Sequence, residues 1–231
     1  MPVSLMDVKN LSGGYGDITV VKDVTLAVEK GEVVCLAGRN GVGKTTLLKL
    51  LSGALPITKG SISLTGSDVS RCNAFERQQK HITHGLQEQT VFSGLSVYDN
   101  LSLTGMWGDN PISKRLVEAF PIIERRYKVL AGKLSGGERK LVSFCRAIAE
   151  GGLITLLDEP TEGVQPENIQ KMGDIIIEQA RAGHSFIVAE QNLTLIEQIA
   201  SACWVIDHGE LISRYPASPT LRESIVKELV I

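Results

Sequence analysis

Val33-Val34-Cys35-Leu36-Ala37 runs without interruption into Gly38-Arg39-Asn40-Gly41-Val42-Gly43-Lys44-Thr45-Thr46. Behind that loop Leu47, Leu50 and Leu51 recur at helical spacing until Gly53, a C-terminal cap. A continuous short apolar run is the pattern of a strand covered on both faces. Strand, loop and helix therefore follow one another in the order a phosphate-binding loop requires, and the stretch Gly38–Thr45 fits G-x-x-x-x-G-K-[ST]. Glycines let backbone N–H groups turn inward on a triphosphate with no side chain in the way. Lys44 adds a point charge between the outer phosphates, the Thr45 hydroxyl is a ligand for Mg²⁺, and the helix aims its positive end at the same place.

The rest of the chain extends an α/β pattern around this unit. Val24, Leu26 and Val28 alternate with polar or small residues and predict a half-buried antiparallel strand. Ile62 and Leu64, between Gly60 and Gly66, predict another short strand of the same small β lobe. From about 93 to 132 the pattern turns helical, which predicts an inserted helical subdomain. The α/β rhythm then resumes: a helix from Gly136 to Glu150, a buried strand at Leu153–Leu157, and a helix from Pro166 to Ala182 closed by Gly183. A strand at Phe186–Ala189, a short helix at Leu193–Ala200, and a hairpin around His208-Gly209 complete the reading.

Two further segments carry chemistry. Leu153-Ile154-Thr155-Leu156-Leu157 ends in Asp158-Glu159, so a buried strand delivers two carboxylates to the open edge of a parallel sheet. Asp158 is placed to hold Mg²⁺ and Glu159 to polarise an attacking water. Leu134-Ser135-Gly136-Gly137-Glu138 is a second phosphate-seeking helix start, with Ser135 as cap and the glycines leaving the first N–H groups open to an anion.

Bulk properties narrow the partners. A hydrophobic fraction of 43% with 22% charged residues is ordinary for a globular protein, and a net charge of −2 supplies no global basic field, so nucleic acid is not an expected partner. Cys35, Cys72, Cys145 and Cys203 lack paired metal-ligand spacing, and Cys35 and Cys145 lie in apolar runs, as reduced buried thiols do. Met1–Asn10 has no basic head followed by an apolar run, and no apolar run approaches the roughly 18–20 residues of a spanning helix. A membrane role would require another protein to hold the chain there.

The loop, the acid pair and Ser135-Gly136-Gly137-Glu138, in this order, resemble the nucleotide-binding domain of the ATP-binding-cassette (ABC) superfamily over essentially the whole chain. The resemblance implies an α/β fold of the P-loop NTPase type: a mainly parallel core sheet, an antiparallel β subdomain and an inserted α-helical subdomain, in a single ATPase domain spanning 1–231. It implies ATP and Mg²⁺ as ligands, and a head-to-tail dimer in which Ser135, Gly136 and Gly137 reach nucleotide held at Lys44 of the other subunit. It also assigns Tyr15 to stacking on adenine, the alternative being an ordinary exposed turn tyrosine. Gln87 falls at the family's Mg²⁺- and water-contacting glutamine, the alternative being a surface amide. Two positions depart from the pattern. Gln191, in Val188-Ala189-Glu190-Gln191-Asn192, stands where the family has a switch histidine, and Gln165 stands where it has an aspartate. Glutamine can hydrogen-bond a γ-phosphate without titrating near neutral pH.

The Glu190-Gln191-Asn192 segment and the loop sequence resemble the smaller ATPase of branched-chain amino acid importers and of their urea or short-amide relatives. That implies a peripheral subunit on the cytoplasmic side of the inner membrane, paired with itself or a sister ATPase. Its other partners would be integral permease subunits and, indirectly, a periplasmic binding protein. A soluble, non-transport ABC-type ATPase is the alternative.

Overall fold

In a computed structural model that describes residues 4–85 and 91–229, the apolar run is strand β3 (Val33–Ala37), buried at every residue. Its side chains alternate between two cores, with Val33, Cys35 and Ala37 in one and Val34 and Leu36 in the other. A strand covered on both faces has no polar position to fill, which is why the sequence reads as unbroken apolar residues.

β3 lies near the middle of a six-stranded sheet. Its parallel partners are β8 (Ser185–Glu190) and β9 (Ala202–Asp207). β7 (Ile154–Asp158) and β6 (Ile82–Gly85) extend the parallel ladder beyond β8, and β10 (Glu210–Pro216) closes the other edge antiparallel to β9. On one face sits α1 (Lys44–Ser52), sharing its core with a four-stranded antiparallel sheet. That sheet is ordered β2 (Ile18–Val28), β1 (Met6–Tyr15), β4 (Ile57–Leu64) and β5 (Ser67–Asp68). On the other face lie α6 (Gly136–Glu150), α7 (Pro166–Arg181) and α8 (Leu193–Ile199). Within 93–132 stand three short helices, α3 (Val97–Ser102), α4 (Pro111–Ala119) and α5 (Pro121–Arg125), with α3 and α4 packed on α6. The ends of this excursion bond to each other, Ala131 N donating to Leu95 O and Gly132 N to Ser93 O.

Five elements exceed the sequence expectation, the two-residue β5 among them. β1 pairs with β2 through register shifts near Leu11, Gly13 and Gly14, and these bulges break the period-two pattern that would have betrayed it. β6 is too short and mixed to read as a strand. α9 (Leu221–Leu229) buries only Leu221 and Ile225. α2 (Ala74–Gln79) is a six-residue helix closed by a capping box between Asn73 and Glu76. It carries Arg77, whose buried guanidinium donates from Nη1 to Leu50 O (2.6 Å) and Leu51 O (2.8 Å). Those carbonyls lie in the last turn of α1, where Leu50 O also accepts from Gly53 N (3.3 Å), so Arg77 ties down the far end of the phosphate-loop helix.

Cys35, Cys145 and Cys203 are buried and free, and desolvation pushes their thiols up, Cys203 to about 12, which keeps them protonated and unreactive. Among the described residues no helix is long and apolar enough to cross a membrane.

Candidate active site

Strand register brings the chemistry together. Ala37 pairs with Glu190 and Asp158 with Ala189, so β3, β7 and β8 end abreast and the segments beginning at Gly38, Glu159 and Gln191 leave the same sheet edge. Ligands of open α/β sheets bind at that edge.

The loop after β3 turns into α1 at Gly43, whose φ of 113° is open to glycine and strained for any other residue. No side chain caps α1 and no acid stands in its first turn, so its leading N–H groups remain for an anion. Lys44 is buried and folds back over the loop, Nζ donating to Gly38 O (2.8 Å) and Arg39 O (2.9 Å). It also pairs with Glu159 Oε1 at 3.4 Å. The hollow here, about 280 Å³, is lined by Asn40, Gly41, Gly43, Thr45, Thr46 and Glu159 together with Lys44. It suits a phosphate chain and is small for a whole nucleotide, whose base must lie outside it. The Val42 side chain packs into the core between the sheets. The Arg39 side chain also leaves the loop, Nε donating to Leu229 O at the end of α9 (2.8 Å), so only the backbone of Arg39 faces this hollow's side of the chain.

Thr45 Oγ1 donates to Asp158 Oδ1 at 3.2 Å. Burial raises the Asp158 carboxyl to about 6, against the lowering effect of the Thr45 hydrogen bond, and neighbouring Glu159 raises it further. A hydroxyl beside a desolvated carboxylate is a set of hard oxygen donors that a small divalent cation would relieve. Among the described residues there is no cluster of three His, Cys, Asp or Glu.

Glu159 has a φ of 44°, an uncommon left-handed conformation for a non-glycine residue. Contacts beyond the Lys44 pair hold it there. Its N–H donates to Ala189 O (2.9 Å), Lys140 Nζ donates to its carbonyl (3.0 Å), and Gln191 Nε2 donates to its Oε1 (2.8 Å). Gln191 Nε2 also bonds Asn40 Oδ1 in the phosphate loop. Lys44, Asn40, Glu159 and Gln191 thus form one connected polar set.

Ser135–Gly137 opens a different hollow, about 750 Å³, shared with Gly163, Gln165 and Arg125 and apart from Lys44 and the acids. Ser135 and Glu138 form a reciprocal capping box: Glu138 N donates to Ser135 Oγ (3.2 Å) and Ser135 N to Glu138 Oε2 (2.8 Å). The Ser135 backbone hydrogen bond holds the Glu138 carboxyl below its ordinary value. The two glycines differ from the expectation that both leave space for an anion. A methyl on Gly136 would meet nothing within 4 Å, whereas one on Gly137 would lie 2.4 Å from Gly163 O. Gly136 keeps the approach open, and Gly137 lets α6 close on the loop that ends at Gln165.

Tyr15 ends β1, 45% exposed, with its hydroxyl 3.3 Å from Lys49 Nζ on α1, outside the phosphate hollow. Gln87 lies outside the described residues. Sequence reasoning passed over Lys140 and Glu190. Glu190 ends a strand buried at every position, in register with Ala37.

Residues 21–162 match the family model described as ABC transporter. The high-affinity branched-chain amino acid transport ATP-binding protein BraG of Pseudomonas aeruginosa is 31% identical over 228 residues, covering 97% of this chain and 98% of that one. The lipopolysaccharide export system ATP-binding protein LptB of Escherichia coli is also 31% identical, over 98% of this chain and 97% of its own. Among solved structures, an ATP-binding subunit of an ABC transporter superposes with a TM-score of 0.84 at 25% identity over 99% of this chain and all of that one. A nucleotide-free ATP-binding cassette gives 0.80 at 22% identity, covering 98% and 95%. With its loop, acid pair and second helix start on the fold of these relatives, this chain belongs to the ABC transporter family, as an ATP-hydrolysing, ATP-binding subunit.

Proposed function

We propose that this subunit powers uptake of branched-chain amino acids through a membrane permease, hydrolysing ATP with Mg²⁺ as one half of a head-to-tail dimer. Lys44 and the backbone of Gly38–Thr46 hold the phosphates. Thr45 and Asp158 hold Mg²⁺, which supplies charge neutralisation on the phosphates. Glu159 takes the proton side of the attacking water, and Gln191 keeps Glu159 aimed while donating toward the γ-phosphate. Tyr15 offers its ring to the adenine. Ser135, Gly136, Gly137 and Glu138 act on nucleotide bound to the other subunit, a copy of this chain or a sister ATPase. Residues 93–132 form the helical subdomain of the single ATPase domain. The subunit sits on the cytoplasmic side of the membrane, held by its permease, with a periplasmic binding protein presenting the solute.

The observation that carries the dimer is that the two anion-seeking helix starts open separate hollows: the one at Ser135 shares no lining residue with the one at Lys44. The likeness to BraG supports branched-chain amino acids as the solute. Export remains the second reading, favoured by LptB at the same identity. Proteoliposomes carrying this chain with its co-purifying permease decide between them. ATP-dependent accumulation of labelled leucine supports import, and ATPase stimulation without uptake of leucine, urea or short amides opposes it.

A further inference from the structure

Hydrolysis as described uses Lys44, Asp158, Glu159 and Gln191 and leaves the buried carboxylate beside them unemployed. Glu190, the last residue of β8, is only 3% exposed, and its carboxylate is turned toward two loops at once. Oε1 accepts from Thr161 N (3.1 Å) and from the Thr161 hydroxyl, just past Glu159. Oε2 accepts from Gln191 N (2.7 Å) and Asn192 N (2.9 Å), the turn that carries the Gln191 side chain. Hydrogen bonds to an ionised acceptor are about twice as strong as neutral ones, and a planar carboxylate fixes the spacing of what it binds. The two loops so joined present Glu159 and Gln191 to each other at 2.8 Å, with Glu159 in a strained conformation that only surrounding contacts can maintain.

The geometry points to Glu190 as a positioning residue for ATP hydrolysis: its buried carboxylate bridges the turn after Glu159 to the turn bearing Gln191 and so sets the aim of the water-activating carboxylate. This rests on Glu159 and Gln191 being hydrolytic groups. Glu190 touches neither water nor phosphate; it acts through its neighbours. Glutamine at 190 would set an NH₂ group, a donor, against N–H groups that need an acceptor, while keeping size and shape.

The test compares wild type, Glu190→Gln, Gln191→Ala and the double variant of the full chain, reading kcat and KM for ATP with Mg²⁺ alongside the thermal midpoint. Glu190→Gln is expected to lower kcat about 10- to 100-fold with KM within about threefold, the size of a lost preorganised contact. In the Gln191→Ala background the same change should lower kcat by less than about threefold, because coupled residues are non-additive. Thr161→Val, which spares the carboxylate and removes one donor, should lower kcat about 3- to 10-fold and show the same non-additivity. It carries the test if Glu190→Gln does not fold. Wild-type kcat in Glu190→Gln with a loss in Gln191→Ala overturns the role of Glu190 alone. Losses that multiply in the double variant reduce Glu190 to a structural residue. Wild-type kcat in Gln191→Ala overturns the hydrolytic reading of Gln191 and, with it, the bridge.

Discussion

Gln191 meets the phosphate loop and Glu159 with an amide: its nitrogen donates to Glu159 Oε1 and Asn40 Oδ1, and an amide does not titrate near neutral pH. Gln191→His should retain ATP binding and introduce a pH dependence of kcat between about pH 6 and 8 as the ring titrates. A kcat profile superposable on wild type would remove position 191 from the γ-phosphate. Asp158 carries the opposite lesson, a charge maintained against burial. Its folded carboxyl, at about 6, lies above the ordinary 3.8, so the folded chain binds this proton more tightly than the unfolded chain does. The group therefore costs nothing below about pH 4, and stability declines as pH rises from there through about 6. Asp158→Asn should stabilise the nucleotide-free chain by about 1–3 kcal/mol at pH 7, with the gain vanishing near pH 4, while hydrolysis is lost. Paired denaturation curves at the two pH values check it, and a variant no more stable than wild type at pH 7 would contradict it.

At the scale of elements, the two glycines at the start of α6 separate structure from function. Gly137→Ala drives a methyl into Gly163 O and should cost about 1–3 kcal/mol, as overpacking does. Gly136→Ala meets open space and should leave the denaturation midpoint within about 0.5 kcal/mol, while ATP turnover falls because the methyl stands where an anion must approach. Equal destabilisation by both would refute the distinction. The sequence announced which residues meet at the sheet edge more clearly than some of the elements that frame them. Gly38–Thr46, Asp158 and Glu159 were readable because phosphate chemistry demands particular residue types at fixed spacing beside a doubly covered strand. β1 was hidden by bulges, β6 by its four-residue length, and α9 by burying only two side chains. Glu190 and Lys140 stayed hidden for another reason. Their roles are set by where distant loops meet, with Lys140 on α6 reaching the Glu159 carbonyl, and no local period records such a meeting.

For the whole molecule, the consequence is incompleteness. One face presents a phosphate hollow with its base, Glu159, already paired to Lys44. Another presents a capped helix start and Gln165 around a larger hollow that shares none of those residues. In the proposed head-to-tail dimer, ATP bound at the first would supply the anion for the second, so that two chains would close on two nucleotides and part on hydrolysis. Glu159→Gln separates the two halves of that cycle, since it keeps the phosphate cradle and removes the group that activates water. The most direct measurement is the mass of Glu159→Gln by size-exclusion chromatography with light scattering, with ATP and Mg²⁺ present and absent, beside its ATPase rate. A shift from monomer to dimer only with ATP, at a rate about 100-fold or more below wild type, is the predicted result. A monomer in saturating ATP, or turnover at the wild-type rate, would contradict it.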